Sequence, residues 1–192
     1  MKFMKSWKYK VVCIVVLMLL SLGELSGAVC FLAAKSPTAG DIVDPVPPTI
    51  TSSVYNINQT SGYISKITVG TTANTLWSGF AEKDYVVVYD KNGNIVSGST
   101  VVGTGMTVAI VDEGTVVKKY TIVVTGDTNG DGKINITDMI AVKASTLKKS
   151  GLSGAYAKAG DVNGDGKINI TDFIKVKATT LKKDTITGVV VK

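Results

Sequence analysis

The sequence GDTNGDGKINITDMIAVKASTLKK, at residues 126–149, is repeated almost unchanged at residues 160–183 as GDVNGDGKINITDFIKVKATTLKK. The two copies start 34 residues apart and differ at only four positions. Each copy opens with Asp, Asn and Gly at the spacing of a calcium-binding loop, and a run compatible with a short helix follows. An ordinary polar turn explains one partial copy of this pattern, but not two complete copies with equal spacing.

Calcium takes six to eight oxygen ligands, and each loop offers them from side chains and from one backbone carbonyl. Counted from the first Asp, the predicted ligands occupy positions 1, 3, 5, 7 (through its carbonyl), 9 and 12. In the first copy they are Asp127, Asn129, Asp131, Lys133, Asn135 and Asp138, and in the second Asp161, Asn163, Asp165, Lys167, Asn169 and Asp172. The three carboxylates of each loop repel one another without metal, so we expect this segment to fold only with calcium.

The segments after the loops, residues 138–149 and 172–183, have the apolar spacing of short helices. The predicted inward stripe consists of Met139, Val142 and Leu147, repeated as Phe173, Val176 and Leu181. Small residues and lysines occupy another helix face, which suits either docking on another protein or simple solvation. Residues 153–159 predict a short helical connector. No helix precedes the first loop, so a sensor that swings two helices apart fits poorly.

These paired loops ending in Asp, without entering helices, resemble a type I dockerin, the module that attaches secreted enzymes to cohesin domains of a cellulosome scaffoldin. The resemblance implies an all-α dockerin within residues 126–192, with two loop–helix (F-hand) repeats, two structural calcium ions, antiparallel helices and near-twofold symmetry. The residues that it implies for cohesin binding are Ile136, Thr137, Lys143, Ala144 and Lys148, and in the second copy Ile170, Thr171, Lys177, Ala178 and Lys182. The copies match at all five positions, so either half is expected to face the partner after a 180° rotation.

The N-terminal residues 1–34 have a basic start, an apolar run and then small residues, the layout of a secretory signal peptide. Cleavage fits after Ala28 or after Ala34; the alternative is an uncleaved membrane anchor, against which the charge of Glu24 counts. Residues 35–49 contain all four prolines and predict an extended linker. The expected location is therefore extracellular and cellulosome-associated, with membrane contact only if the N-terminal segment is retained.

Residues 50–125 alternate apolar and polar side chains in five stretches, which predicts strands. A helix is predicted at residues 72–80, between the second and third strands. The expected order is β-β-α-β-β-β, a small, mainly β domain of the α+β or sandwich-like class. Together with the C-terminal segment, the predicted fold class is a mainly β domain followed by an all-α dockerin.

Composition excludes several functions. The chain has no His and no Arg, and its net charge of +6 comes from scattered lysines, so neither a histidine-based catalytic site nor a nucleic-acid interface is expected. The five acids of the middle domain show no facing pair: Glu82, Asp84, Asp90, Asp112 and Glu113. No catalytic residue is predicted, and the leading hypothesis is a secreted, non-enzymatic docking protein.

Two alternatives stay open from the sequence. One is a carbohydrate-binding or cell-surface adhesion protein with a calcium-stiffened C-terminus, in which residues 50–125 bind polysaccharide. Three aromatic residues, Trp77, Tyr85 and Tyr89, would suit sugar stacking, although core packing is the simpler interpretation. The other is a dockerin-bearing accessory of a glycoside hydrolase system, or a small enzyme that itself acts on polysaccharide.

Overall fold

A mixed sheet of five strands is the central element of the computed structural model, which describes residues 48–190. The strands are β1 (Asn56–Asn58), β2 (Tyr63–Ile67), β3 (Val86–Tyr89), β4 (Thr107–Asp112) and β5 (Thr115–Val124). Four α-helices are described: α1 (Ala73–Ser78), α2 (Ile136–Thr146), α3 (Gly154–Gly160) and α4 (Ile170–Thr180), with a 3-10 turn at Lys83–Tyr85. The predicted signal segment and nearly all of the predicted linker lie outside the described residues.

The strands lie in the order β1-β2-β5-β4-β3. Strand β4 pairs antiparallel with β3 and with β5, and β1 forms an antiparallel hairpin with β2, whereas β2 pairs parallel with β5, with Ile64 opposite Ile122. A parallel pair needs a crossover, and here the chain passes through α1, β3 and β4 between β2 and β5. This long-range pairing places the N-terminal hairpin beside β5, the strand that leads directly into the first repeat.

Helix α1 covers one face of the sheet. Thr72 caps its start, because its hydroxyl accepts the Thr75 N–H at 3.3 Å. Leu76 is completely buried and Phe80 nearly so, and both pack in the core formed with alternate residues of the strands. The helix and the order β-β-α-β-β-β therefore match the prediction. Strand β5 starts five residues earlier than predicted, since residues 115–119 are exposed and show no alternation.

The opposite face of the sheet is covered by the C-terminal segment. Successive residues of a strand point to opposite faces. Accordingly Ile122 packs in the α1 core, whereas its neighbour Val123 packs on the other side with Ala155 and Ala159 of α3. The half-buried ring of Tyr63 completes this smaller cluster. The connector helix that the sequence predicts between the repeats thus packs against the sheet.

Helices α2 and α4 pack against each other in opposite directions. The hydroxyl of Thr146, at the end of α2, donates to the carbonyl oxygen of Asn169 just before α4, at 3.3 Å. Thr180, at the end of α4, donates in the same way to the carbonyl of Asn135 just before α2, at 3.4 Å. This reciprocal pair of bonds makes the helices antiparallel. The completely buried Val142 and Val176 form the centre of the core between the repeats.

The chain after α4 folds back over the repeats to the sheet. Ile186 is buried in the inter-repeat core. Farther on, the Val189 N–H donates to the Thr125 hydroxyl at 3.0 Å, and the Val189 carbonyl accepts the Lys66 N–H at 3.1 Å. These bonds fasten the C-terminal tail to the end of β2 and to the residue that follows β5.

The structure confirms the α+β class, and the described residues all fall in one compact unit, Pro45–Lys192. The boundary placed between residues 125 and 126 stays a prediction.

One packing prediction was wrong: Leu147 and Leu181 are each 54% exposed rather than inward. Both are cap residues where the helix ends, so their side chains leave the inter-helix seam. No helix within residues 48–190 combines the length and apolarity that a membrane crossing requires.

Candidate metal centre

The first loop is organised around the side chain of Asp127, which is completely buried. Its Oδ1 accepts the N–H groups of Gly130 at 2.7 Å and Asp131 at 3.1 Å. Its Oδ2 accepts those of Gly132 at 3.0 Å and Thr104 at 2.9 Å. The chain can wrap so tightly around one carboxylate because Gly130 and Gly132 both have a φ of +76°, a conformation that other residues rarely adopt.

The side chains of positions 3, 5 and 9 converge on one another. The amide groups of Asn129 and Asn135 both donate to Asp131 Oδ2, at 3.1 Å and 3.0 Å. Asn129 Oδ1 in turn accepts the Asp131 N–H at 2.9 Å, and Asp131 Oδ1 accepts the Lys133 N–H at 2.8 Å. Three of the predicted ligands are therefore drawn to one side of the loop by short-range hydrogen bonds.

Position 12 closes the loop onto the helix. Asp138 is completely buried, and its Oδ1 accepts the Thr128 N–H at 2.8 Å while its Oδ2 accepts the Asn135 N–H at 3.0 Å. Asn135 Oδ1 accepts the Thr137 N–H at 2.7 Å, so positions 9 and 12 also form a reciprocal cap at the start of α2. The ligand spacing and the helix start are thus set by the same two side chains.

The second loop repeats this arrangement. Asp161 accepts from Gly164, Asp165 and Gly166, and the amides of Asn163 and Asn169 donate to Asp165 Oδ2 at 2.8 Å and 3.2 Å. Asp172 is completely buried and makes the same cap with Asn169 at the start of α4. Hydrogen bonds among the predicted ligands therefore fold each loop in the same way, and the backbone N–H groups of Lys133 and Lys167 donate to Asp131 and Asp165.

The electrostatics of the loops favour a bound cation. Burial raises the pKa of the Asp127 carboxyl and of the Asp172 carboxyl, in both cases against the opposing effect of backbone N–H donors. The pKa of exposed Asp165 is lowered, chiefly by the Asn163 side-chain hydrogen bond. A buried carboxylate is costly unless its charge is compensated. A divalent ion beside Asp127 and Asp172 would supply that compensation.

The donor set fits calcium. Each loop supplies carboxylate, amide and carbonyl oxygens and contains no thiol or imidazole, the combination that a hard cation prefers. Across residues 48–190, Asp, Glu, Cys and His side chains alone do not form a metal-holding group of three or more. An ion held in either loop would therefore have to take Asn or backbone oxygens among its ligands.

The predicted partner-binding residues lie on an accessible surface of α2 and α4. Ile136 is 60% and Ile170 58% exposed. Of the ten residues only Ala144 and Ala178 are half-buried; the exposed ones are Ile136, Thr137, Lys143, Lys148, Ile170, Thr171, Lys177 and Lys182. Their assignment to a partner stays a prediction, but their exposure is the same in both copies.

Four exposed apolar residues beside this surface were not predicted from the sequence. Ile140, Leu147, Ile174 and Leu181 are each more than half exposed. Ile140 lies four residues after Ile136, so it shares that helix face. The two copies both have isoleucine here, at Ile140 and at Ile174. An apolar side chain that is repeated on the outward face of a predicted helix indicates a contact surface, so this repetition could have revealed these residues.

Three of the candidate groups of the middle domain, Glu82, Trp77 and Tyr85, make contacts that hold the fold together. Glu82 accepts the N–H and the hydroxyl of Thr51, at 2.7 Å and 3.0 Å. The indole of Trp77 donates to the Lys83 carbonyl at 2.9 Å, and the Lys83 ammonium lies 5.4 Å from its ring centroid. Tyr85 packs partly buried against the core. The ring face of Trp77 is therefore shared with a lysine, an arrangement that favours core packing over sugar stacking.

The family model for the dockerin type I domain matches residues 125–180. This range begins at the residue after β5 and includes both loops and the helices α2, α3 and α4. No curated protein and no solved structure matches the chain. Dockerin domains of this type bind calcium and dock onto cohesins in cellulosome-type complexes. The segment that carries the repeated loops, residues 125–180, is a type I dockerin domain.

Proposed function

We propose that this chain is a secreted, non-enzymatic docking protein that binds a cohesin domain of a scaffoldin and thereby adds residues 50–125 to a polysaccharide-degrading complex. The observation that carries the proposal is the matched exposure of five positions on α2 and on α4, each set next to an oxygen-rich loop. The lack of His and Arg, and the local engagement of Glu82, support a role without catalysis.

Each loop holds one calcium ion in this proposal, two ions in all. The ligands would be positions 1, 3, 5, 7, 9 and 12, with Lys133 and Lys167 contributing only their carbonyl oxygens. The ions supply charge compensation for Asp127, Asp138 and Asp172, which are completely buried. Because positions 9 and 12 also cap the helices, metal binding fixes where α2 and α4 begin and so positions the binding surface.

The binding surface is apolar near the start of each helix and basic toward its end. Ile136 and Ile140 are adjacent exposed residues near the start of α2, and Lys143 and Lys148 lie toward its end. We expect the cohesin to present an apolar patch for the isoleucines and acidic groups for the lysines. The second copy presents the same set, so the partner can bind through either helix.

The equivalence of the two copies makes the proposal testable by paired substitution. Ile136→Asp alone, or Ile170→Asp alone, should lower cohesin affinity about twofold, because one of two equivalent orientations is lost. The double variant should lose about 30-fold or more, the effect expected of central interface residues. Both residues are more than half exposed, so far-UV circular dichroism in calcium should be unchanged.

A pull-down of the full chain with a panel of cohesins, in calcium and in chelator, gives the corresponding wild-type test. Calcium-dependent capture by at least one cohesin supports the proposal, whereas capture that chelator leaves unchanged, or no capture by the panel, contradicts it.

Assays of the same protein on cellulose and xylan address the remaining alternatives. Retention without cohesin would indicate a carbohydrate-binding role for residues 50–125, and sugar release would indicate an enzyme.

A further inference from the structure

The two loops are nearly identical in sequence but have different surroundings. Asp127, Gly130 and Gly132 of the first loop are buried. Their counterparts in the second loop are more open: Asp161 and Gly164 are half-buried, and Gly166 is exposed. The difference arises outside the repeats, because the segment between β3 and β4 packs against the first loop only.

The contact is made by residues 101–105, which we call the wall segment. The Thr104 N–H donates to Asp127 Oδ2 at 2.9 Å, a bond that has no counterpart at Asp161. Thr104 is completely buried and is itself fixed, because its hydroxyl bonds the Val124 N–H at 3.1 Å and the Val124 carbonyl at 3.2 Å. The donor that holds the first ligand of the loop is thus anchored to β5.

The backbones of the wall segment and the loop touch. A Cβ added to Gly103 would lie 2.5 Å from the carbonyl oxygen of Gly130. One added to Gly132 would lie 2.7 Å from Val101 Cγ1, whereas one added to Gly166, the equivalent of Gly132, would meet nothing within 4 Å. Contacts this close exclude a side chain on either backbone. The glycines of the first loop therefore serve the packing of the wall as well as the turn.

A lysine closes the same side of the first loop, where Lys91 Nζ donates to the carbonyl of Asn129 at 3.3 Å. Beside the second loop lies a cavity of about 110 Å³ instead, lined in part by Lys158, Asp161 and Gly166. Water therefore has access to the second loop from a side on which the first is covered by protein.

We propose that the wall segment is part of the first calcium site, with Thr104 and Gly103 as positioning residues, and that it makes this site the tighter of the two. Calcium in the first loop then also fastens the sheet to the dockerin, because Asp127 bonds both the loop and the wall. The inference rests on the proposed binding of one ion by each loop. In addition, a neighbouring part of the chain gives two loops of nearly identical sequence unequal calcium affinities.

The test is calorimetric titration of the full, calcium-depleted chain and of Gly103→Ala. The substitution leaves every predicted ligand in place and lies at a negative or extended φ, so its main effect is to push the wall away from Gly130. Wild type should show two affinities, and Gly103→Ala should weaken the tighter one by about tenfold or more, the range for groups that orient a metal ligand. The control is Gly151→Ala, whose added Cβ would meet nothing within 4 Å and which should titrate like wild type.

Two sites of equal affinity in wild type, or two affinities that Gly103→Ala leaves unchanged, would overturn the inference and leave the proposed function intact. A chain that binds no calcium would overturn both. Because Gly103→Ala could also unfold the sheet, a second measurement uses wild type alone. Hydrogen exchange at one equivalent of calcium should protect the N–H groups of Thr104 and Gly132 before that of Gly166. Simultaneous or reversed protection would refute the proposed order.

Discussion

Both dockerin helices end in a lysine with a left-handed backbone: φ is 55° at Lys148 and 56° at Lys182. The next N–H in each case bonds the carbonyl five residues back, Lys149 to Ala144 and Lys183 to Ala178, a helix ending that usually has glycine at the left-handed position. A residue with a side chain costs about 1–2 kcal/mol there. Lysine at both ends thus indicates that its side chain serves a purpose other than stability.

Replacing both lysines with glycine should therefore stabilise the protein. The relief of about 1–2 kcal/mol per site is partly offset by the backbone freedom that glycine loses on folding, about 0.5–1 kcal/mol. A net gain of about 0.5–1 kcal/mol per site remains, and the two sites should add because they end different helices. For a domain of this size we expect a rise in Tm of about 2–8 °C in excess calcium.

The matched control is Lys149→Gly with Lys183→Gly, which removes the same charge next to the same helix ends. Neither residue has a positive φ, so no strain is relieved and Tm should not rise. The same Lys148→Gly and Lys182→Gly double variant should bind cohesin less tightly, since both lysines are predicted contacts. A variant that is no more stable than wild type, or a control that gains equally, would refute the assignment of strain to these positions.

The C-terminal tail and the buried carboxylates provide two further tests. Ile186→Ala should lower the free energy of unfolding in urea by about 2–4 kcal/mol, the range for an emptied core site, whereas Ile174→Ala, at a residue 59% exposed, should change it by less than about 0.5 kcal/mol; equal losses would contradict the packing described for the tail. Burial raises the pKa of Asp127 and Asp172 above the ordinary value of 3.8, so without calcium their contribution to stability should be largest below pH 3.8 and disappear as the pH rises through the raised values. With saturating calcium, which binds the ionised carboxylates, the urea midpoint should rise from pH 4 to pH 7, whereas in chelator the helical signal of α2 and α4 should be lost over the same range. Parallel trends would argue against metal binding by these groups.

The loops and most of the sheet were predictable from sequence because both depend on short-range rules. Spacing of Asp, Asn and Gly within twelve residues sets the loop, and the local pattern of apolar and polar residues reveals strands such as Tyr63–Ile67, in which Ile64, Ser65 and Ile67 are buried. Leu147 was misplaced because the helical spacing continues in the sequence past Thr146, where α2 ends. A helix period carries no information about where the backbone leaves the helix.

The contact between the wall segment and the first loop was not predictable from spacing or periodicity. It depends on the parallel pairing of β2 with β5 and on the path of the chain after β3, which are settled only in the folded protein. The sequence around Thr104 contains a hint, because glycine on each side of it, Gly103 and Gly105, suggests close backbone approach. Nothing in the sequence indicates that the approaching chain is a metal loop rather than another strand.

Circular dichroism of the full, purified chain during calcium removal and return tests most directly whether metal organises the docking surface. We expect chelator to abolish most of the signal from α2 and α4, and calcium to restore it at two equivalents per chain, since these helices start from residues that the ions would hold. A helical signal that chelator leaves unchanged would contradict the account, because the helices would then form without the ions that are proposed to position them.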